Sequence, residues 1–297
     1  MRHWRRVILL VLAALGVCLP ATAGTTSAQS HVVVHTMPTR ARAAARRFLA
    51  DSQPLTYHGG AVMTGHVNVY VVWYGNWPAT SKRRAVITDF LHHVPSPYWA
   101  INQTFPNSAK ATVGNDISLA GETSDAYSVG KRQVSDDQIE TVVAGAIQHH
   151  RLPKDVHGVY LVVTSSDVQK MGFLSQYCGW HSNATVAGSS IKFGFIGDPT
   201  GPNRRNCSPQ DTSPNGDLGA DAMVSTIAHE LDESVTDPTM NGWRTAMGEE
   251  NADRCAWLYG STYKAAGAMA NMKLGARQYL VQENWVNSAK PHCGLKP

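Results

Sequence analysis

Apolar and polar positions alternate along "HVNVYVVWYGNW", residues 66–77, and the apolar members are β-branched or aromatic. Period two with that composition predicts a strand, closed by Gly75 and Asn76. The next segments change period. In "SKRRAVITDFLHHV", residues 81–94, Val86, Ile87, Phe90 and Leu91 recur at helical spacing. A second helical pattern follows Ser135 in "SDDQIETVVAGAIQHH", with the serine placed as its N-cap. Two apolar runs, "GVYLVVTSSDV" and "IKFGFIG", are short and bounded by glycine and polar residues, so they read as buried strands. A further helix is predicted in "ADAMVSTIAHELDESVTDP", ending before Pro238, and a late strand in "ARQYLVQENW". No internal repeat is visible. Strands and helices alternate loosely, which predicts an α/β protein with one mixed-sheet domain and flanking helices over residues 57–297.

The N-terminus changes the picture from fold to compartment. Residues 1–23, "MRHWRRVILLVLAALGVCLPATA", join a basic start to an apolar run and an A-x-A ending at Ala21 and Ala23. That is the pattern of a secretory signal peptide, and the run is too short to span a membrane. A secreted chain without a membrane anchor is therefore expected. Residues 24–56 are polar and basic, with the Ala/Arg-rich helical stretch "TRARAAARRFLAD", and read as an arm or linker. The formal charge of +4 belongs to these two segments: the leader holds three arginines and no acid, and the arm holds Arg40, Arg42, Arg46 and Arg47 against Asp51. The body that remains is slightly acidic, which argues against a nucleic-acid partner. Beyond the leader lie Cys178, Cys207, Cys255 and Cys293. An even number in an exported chain predicts two disulfides. Cys178–Cys207 and Cys255–Cys293 are the expected pairs, because each closes a local loop. Four thiolates around zinc are the alternative, but no C-x-x-C occurs.

Candidate chemistry concentrates in "AHELDESVTDP". On a helical period Met223, Ile227, Leu231 and Val235 form an apolar stripe, with His229, Glu230 and Glu233 beside it. His229 and Glu233 are four apart and share a face, so an imidazole nitrogen and a carboxylate oxygen can reach one ion. The zinc-peptidase pattern H-E-x-x-H carries a second histidine where this chain has Glu233. Glu230 stands where such proteins keep the general base that activates a metal-bound water. About twenty residues on, "GEENADRC" offers Glu249 or Glu250 as a third ligand and Asp253 as a carboxylate that orients a ligating histidine. Zinc is the expected metal, although so oxygen-rich a set also suits calcium or manganese. The competing reading is a solvated acidic helix. His181 in "YCGWHSN" is either a structural histidine beside a disulfide or a fourth ligand. "SPNGDLGAD" is either turn and capping chemistry or a calcium loop. No serine-hydrolase elbow, P-loop or dinucleotide fingerprint occurs.

The stretches "YHGGAVMTGHVNVYVVWYGNW", "CGWH", "SPNGDLGADAMVSTIAHELDESVTDPTMNGW" and "QYLVQENW" resemble the phosphate-induced protein 1, or EXORDIUM-like, family over residues 57–293. The resemblance implies an extracellular location and a shared fold rather than a reaction. In plant members the segment before T-x-P is apolar, where this chain has His229 and Glu230. The "AHELDE" form looks like that of bacterial relatives and is similar to the helix of zincin-type metallopeptidases. Two functions are thus expected as rivals. One is a metal-dependent hydrolase acting on an extracellular peptide. The other is a non-catalytic extracellular binding or signalling protein, associated with a cell-wall component, in which the acidic helix is structural.

Overall fold

The computed structural model describes residues 32–50 and 54–297. The expected signal peptide lies outside them. The strands in chain order are β1 (His35–Pro38), β2 (Thr56–Tyr57), β3 (Gly65–Tyr74), β4 (Val113–Asp125), β5 (Gly158–Thr164), β6 (Tyr177–Val186), β7 (Ser189–Ile196) and β8 (Trp243–Arg244). The helices are α1 (Arg40–Ala50), α2 (Lys82–His92), α3 (Asp136–Gln148) and α4 (Leu218–Thr236). Six strands form one mixed sheet in the order β1-β6-β7-β5-β3-β4. β7, β5, β3 and β4 run parallel, and β6 and β1 are added antiparallel at one side. The expected α/β class is observed, with helices on both faces.

Alternation along the central strands produces the two layers. Val67, Val69, Val71 and Trp73 of β3, with Val159, Leu161 and Val163 of β5, face a core built with α2 and α4. Tyr70, Val72, Tyr74, Tyr160 and Val162 face the opposite core, built with α3. Caps fix the helix starts. The Ser81 side chain accepts from Arg84 N–H, and Ser135 with Gln138 forms a reciprocal capping box. Asp217 caps α4 by accepting from Ala220 N–H, and Asp221 accepts from Ser213 and Asn215, so "SPNGDLGAD" is turn and capping chemistry.

β6 was not expected from the sequence, and three further regions differ from the expectation. The stretch read as an arm supplies β1, an edge strand of the main sheet, and then α1. β4 carries mostly polar residues because it is the opposite edge, with one face open to water. The expected late strand is divided. Its first part pairs in the hairpin β11 (Met272–Leu274)/β12 (Arg277–Tyr279) that follows β9 (Tyr263–Ala265)/β10 (Ala268–Ala270), and its last part pairs as β13 (Asn284–Val286) with β14 (His292–Gly294). Between them Val281 and Gln282 bond to the side chains of Asn271 and Ser225 instead of a neighbouring strand. Both expected disulfides are present, Cys178–Cys207 and Cys255–Cys293.

Candidate metal centre

α4 is not a solvated helix. Every residue from Gly219 to Thr236 is buried, because the helix is packed between the sheet and α2. Its apolar stripe, Met223, Ile227, Leu231 and Val235, enters the core. Its His229, Glu230 and Glu233 side chains have no exposed surface. They lie against β6 and β1. On β6, Trp180 packs into the far core, so pleating turns Gly179 and His181 toward α4. Gly179 permits the close approach: a Cβ there would lie 2.5 Å from Thr226 Cγ2 and 3.1 Å from Glu230 Oε1. Pairing of β1 with β6 sets His35 directly opposite His181.

Glu233 is the hub. Its Oε1 lies 3.1 Å from His229 Nε2, and its Oε2 lies 3.5 Å from His181 Nδ1. Asp253 Oδ1 is 3.7 Å from the same His229 nitrogen, and the Asp253 backbone N–H donates to Glu233 Oε1 at 3.0 Å. Glu230 Oε2 is 3.3 Å from His181 Nδ1, while Glu230 Oε1 accepts from Met37 N–H. Glu250 spans the two histidines on the strands, with Oε1 2.7 Å from His35 Nδ1 and Oε2 3.2 Å from His181 Nε2. Three groups of potential ligands result: His229, Glu233 and Asp253; His181, Glu230 and Glu233; and His35, His181 and Glu250. The approaches are close, yet many are not hydrogen bonds. Both nitrogens of His229, His181 Nε2, Glu233 Oε2, both oxygens of Glu250 and Asp253 Oδ1 are buried without a properly aligned partner. Buried polar atoms are nearly always hydrogen-bonded. Their convergence makes them candidate ligands for a cation.

The charges point the same way. Glu230, Glu233, Asp237 and Glu250 are fully buried and Asp253 nearly so, and among the described residues the close ion pairs of this set are with histidines alone. Burial would hold His229 and His181 neutral, but the carboxylates beside them outweigh it, and their pKa values rise to about 10 and about 9. Burial raises Glu230, Glu250 and Asp253 above the ordinary carboxylate range, with Glu233 adding to each by repulsion. Glu233 itself goes the other way: burial opposes ionisation, but His229 and His181 hold it well below that range. Without a cation, the cluster is a set of carboxylates and imidazoles competing for protons.

Of the residues singled out in the sequence, His229, Glu230, Glu233, Glu250 and Asp253 meet here. Glu250 reaches His35 and His181, and Asp253 is the downstream carboxylate beside His229 and Glu233. Glu249 instead lines a cleft of about 400 Å³ with His35, Thr36, Arg46, Met247 and Asp253. His181 belongs to the cluster rather than only to the neighbourhood of a disulfide. His35, in the supposed arm, carried no signal in the sequence, because only strand pairing brings it to α4. The 250–253 segment is held by a buried polar network. Asp232 accepts from Tyr98 and Asn102 at 2.7 Å each, and Asn251 bonds to Thr236, Asn102 and the Asp232 carbonyl. Burial pushes the Asp232 carboxyl up to about 7, although both donors oppose the shift.

Fold and centre together define a disulfide-linked mixed α/β protein with a buried His–carboxylate cluster, of which His35 and Asp253 also line a cleft. The sequence matches the phosphate-induced protein 1 conserved region over residues 55–290, and the chain belongs to that family. It is 31% identical over 283 residues to Protein EXORDIUM-like 5 of Arabidopsis thaliana, covering 81% of this chain and 77% of that protein. It is 27% identical over 271 residues to Protein EXORDIUM-like 3 of Arabidopsis thaliana, covering 78% and 80%. With Protein PHOSPHATE-INDUCED 1 of Nicotiana tabacum it shares 26% identity over 243 residues, covering 70% and 74%. No solved structure matches the chain. The two disulfides fit an oxidising, extracellular setting. Among the described residues no helix is long and apolar enough to cross a membrane.

Proposed function

We propose that the chain is an extracellular, divalent-metal-dependent hydrolase acting on peptide-like bonds. The observation that carries this reading is the convergence of buried imidazole and carboxylate atoms without hydrogen-bond partners beside an open cleft. His229, Glu233 and Asp253 would hold the ion, with zinc the best fit to one imidazole and two carboxylates, and calcium or manganese as oxygen-tolerant competitors. A bound divalent ion supplies Lewis acidity and makes water a nucleophile near neutral pH. The chain's own groups do the rest. Glu230, beside His229 on the helix and paired with His181, takes the proton from the attacking water. The cleft runs along β1, the terminal strand of the sheet, and Val34, His35 and Thr36 line it. An extended peptide can lie beside such an edge through main-chain hydrogen bonds. Arg46, on the same cleft, suits a substrate carbonyl or carboxylate. Elemental analysis and a peptide-library screen on protein purified without chelator test the reading. Stoichiometric metal, its loss or weakening in His229→Ala, and lost cleavage in a folded Glu230→Gln variant are expected. Folded protein that neither contains nor takes up metal overturns it.

A purely structural ion is the second reading. It is favoured by the complete burial of His229, Glu230, Glu233 and Glu250, which join α4 to β1, β6 and the 250–253 segment. In that case chelation lowers the melting temperature, while the wild type cleaves nothing in the same screen.

A further inference from the structure

We infer that the centre holds two divalent ions bridged by Glu233. The inference rests on the metal-centre reading above and alters it at one place: Glu230 and His181 become ligands. Glu233 divides its oxygens between two triads. Oε1 faces His229 Nε2 and lies in the group completed by Asp253, whereas Oε2 faces His181 Nδ1 in the group completed by Glu230. A tetrahedral ion with bonds of about 2.0–2.2 Å separates its ligand atoms by roughly 3.3–3.6 Å. The two edges at the imidazole are 3.1 and 3.7 Å in the first triad and 3.3 and 3.5 Å in the second. Two separate oxygens of one carboxylate, each an edge away from a different imidazole, suit the bridging carboxylate of a two-metal hydrolytic site, whose ions lie about 3.5–4 Å apart.

The remaining atoms fit this arrangement. Glu233 Oε2 and His229 Nε2 are buried and have no aligned hydrogen-bond partner, and both point into the triads. When His181 Nδ1 is a ligand, its Nε2 faces Glu250, whose Oε2 lies 3.2 Å away but is not aligned as a hydrogen-bond acceptor. Glu250 is in turn backed by His35 at 2.7 Å.

Metal-stripped full-length mature protein is titrated with Zn²⁺ by calorimetry, and its bound zinc is counted after desalting. Two ions per chain are expected for the wild type. His229→Ala and Glu230→Gln should each fall to one, by losing different ions, and Glu233→Ala should weaken both. Manganese loading gives a second readout: the two-ion site produces an exchange-coupled paramagnetic resonance signal that Glu230→Gln abolishes. One ion per wild-type chain, or two that survive in Glu230→Gln and His181→Gln, overturns the bridged pair while leaving a metal centre in place. No bound ion overturns both. The wild-type count decides the matter even where a variant fails to fold.

Discussion

At the scale of single residues, the proposed centre separates side chains that would touch an ion from those that would hold them in place. On the two-ion reading His35 and Glu250 would be of the second kind, because they lie behind His181 on its Nε2 side. His35→Ala is expected to weaken metal binding by about 10–100-fold, the range for lost support behind a ligand. Calorimetry against wild type checks this, and His35→Gln should recover part of the loss. Asp155, remote from the centre, gives a pH prediction. Burial would raise its pKa, but the His157 N–H, Asn68 and Tyr70 all donate to it and hold it below its ordinary 3.8. A carboxyl depressed in the folded state contributes stability that is present above the unfolded pKa and lost as pH falls through the folded value. Asp155→Asn should therefore be less stable than wild type at pH 7, and the difference should shrink below about pH 4. Urea denaturation at pH 7 and pH 3 measures it.

At the scale of elements, the site depends on how closely α4 approaches β6. Gly179→Ala would set a methyl 2.5 Å from Thr226 Cγ2 and 2.9 Å from the Phe195 carbonyl, in a region with no free volume. Overpacking of this kind destabilises by about 1–3 kcal/mol. It should also push Glu230 away and lower metal affinity, which thermal unfolding with and without Zn²⁺ reports. The Cys255–Cys293 disulfide ties the segment carrying Asp253 to the C-terminal hairpin across 38 residues. Cys255→Ala with Cys293→Ala should lose about 3–4 kcal/mol by loop entropy. Metal affinity should fall more than in the equivalent Cys178/Cys207 variant. Legibility followed locality. The helix carrying His229, Glu230 and Glu233, its apolar stripe and both disulfides were readable, because spacing within one segment determines them. The downstream carboxylates were readable as a set but not by role: which of Glu249, Glu250 and Asp253 turns inward depends on the Asn251–Asp232 network and on the turn at Thr245. His35 was invisible. Its neighbour Met37 bonds to Glu230 across 193 residues, and β1 is too short and too polar to announce itself.

At the scale of the whole molecule, the two sides of the sheet do different work. The α3 side packs aromatic and aliphatic side chains, with Tyr70, Tyr160, Trp180 and Phe193 at its centre. The α4 side joins an equally apolar core to a buried acidic cluster at the β1–β6 edge. Such a cluster raises the free energy of the folded chain unless a cation offsets it. Metal should therefore act as a global stabiliser by mass action. At a free concentration one hundred times the dissociation constant, one ion adds about 2.7 kcal/mol. The most direct test of the metal centre is the metal content of folded protein, purified without chelator, together with its melting temperature before and after chelation. The account predicts stoichiometric divalent metal, a lower melting temperature after chelation, and recovery on adding Zn²⁺. Folded protein free of metal, with a melting temperature indifferent to chelator and to Zn²⁺, would contradict it.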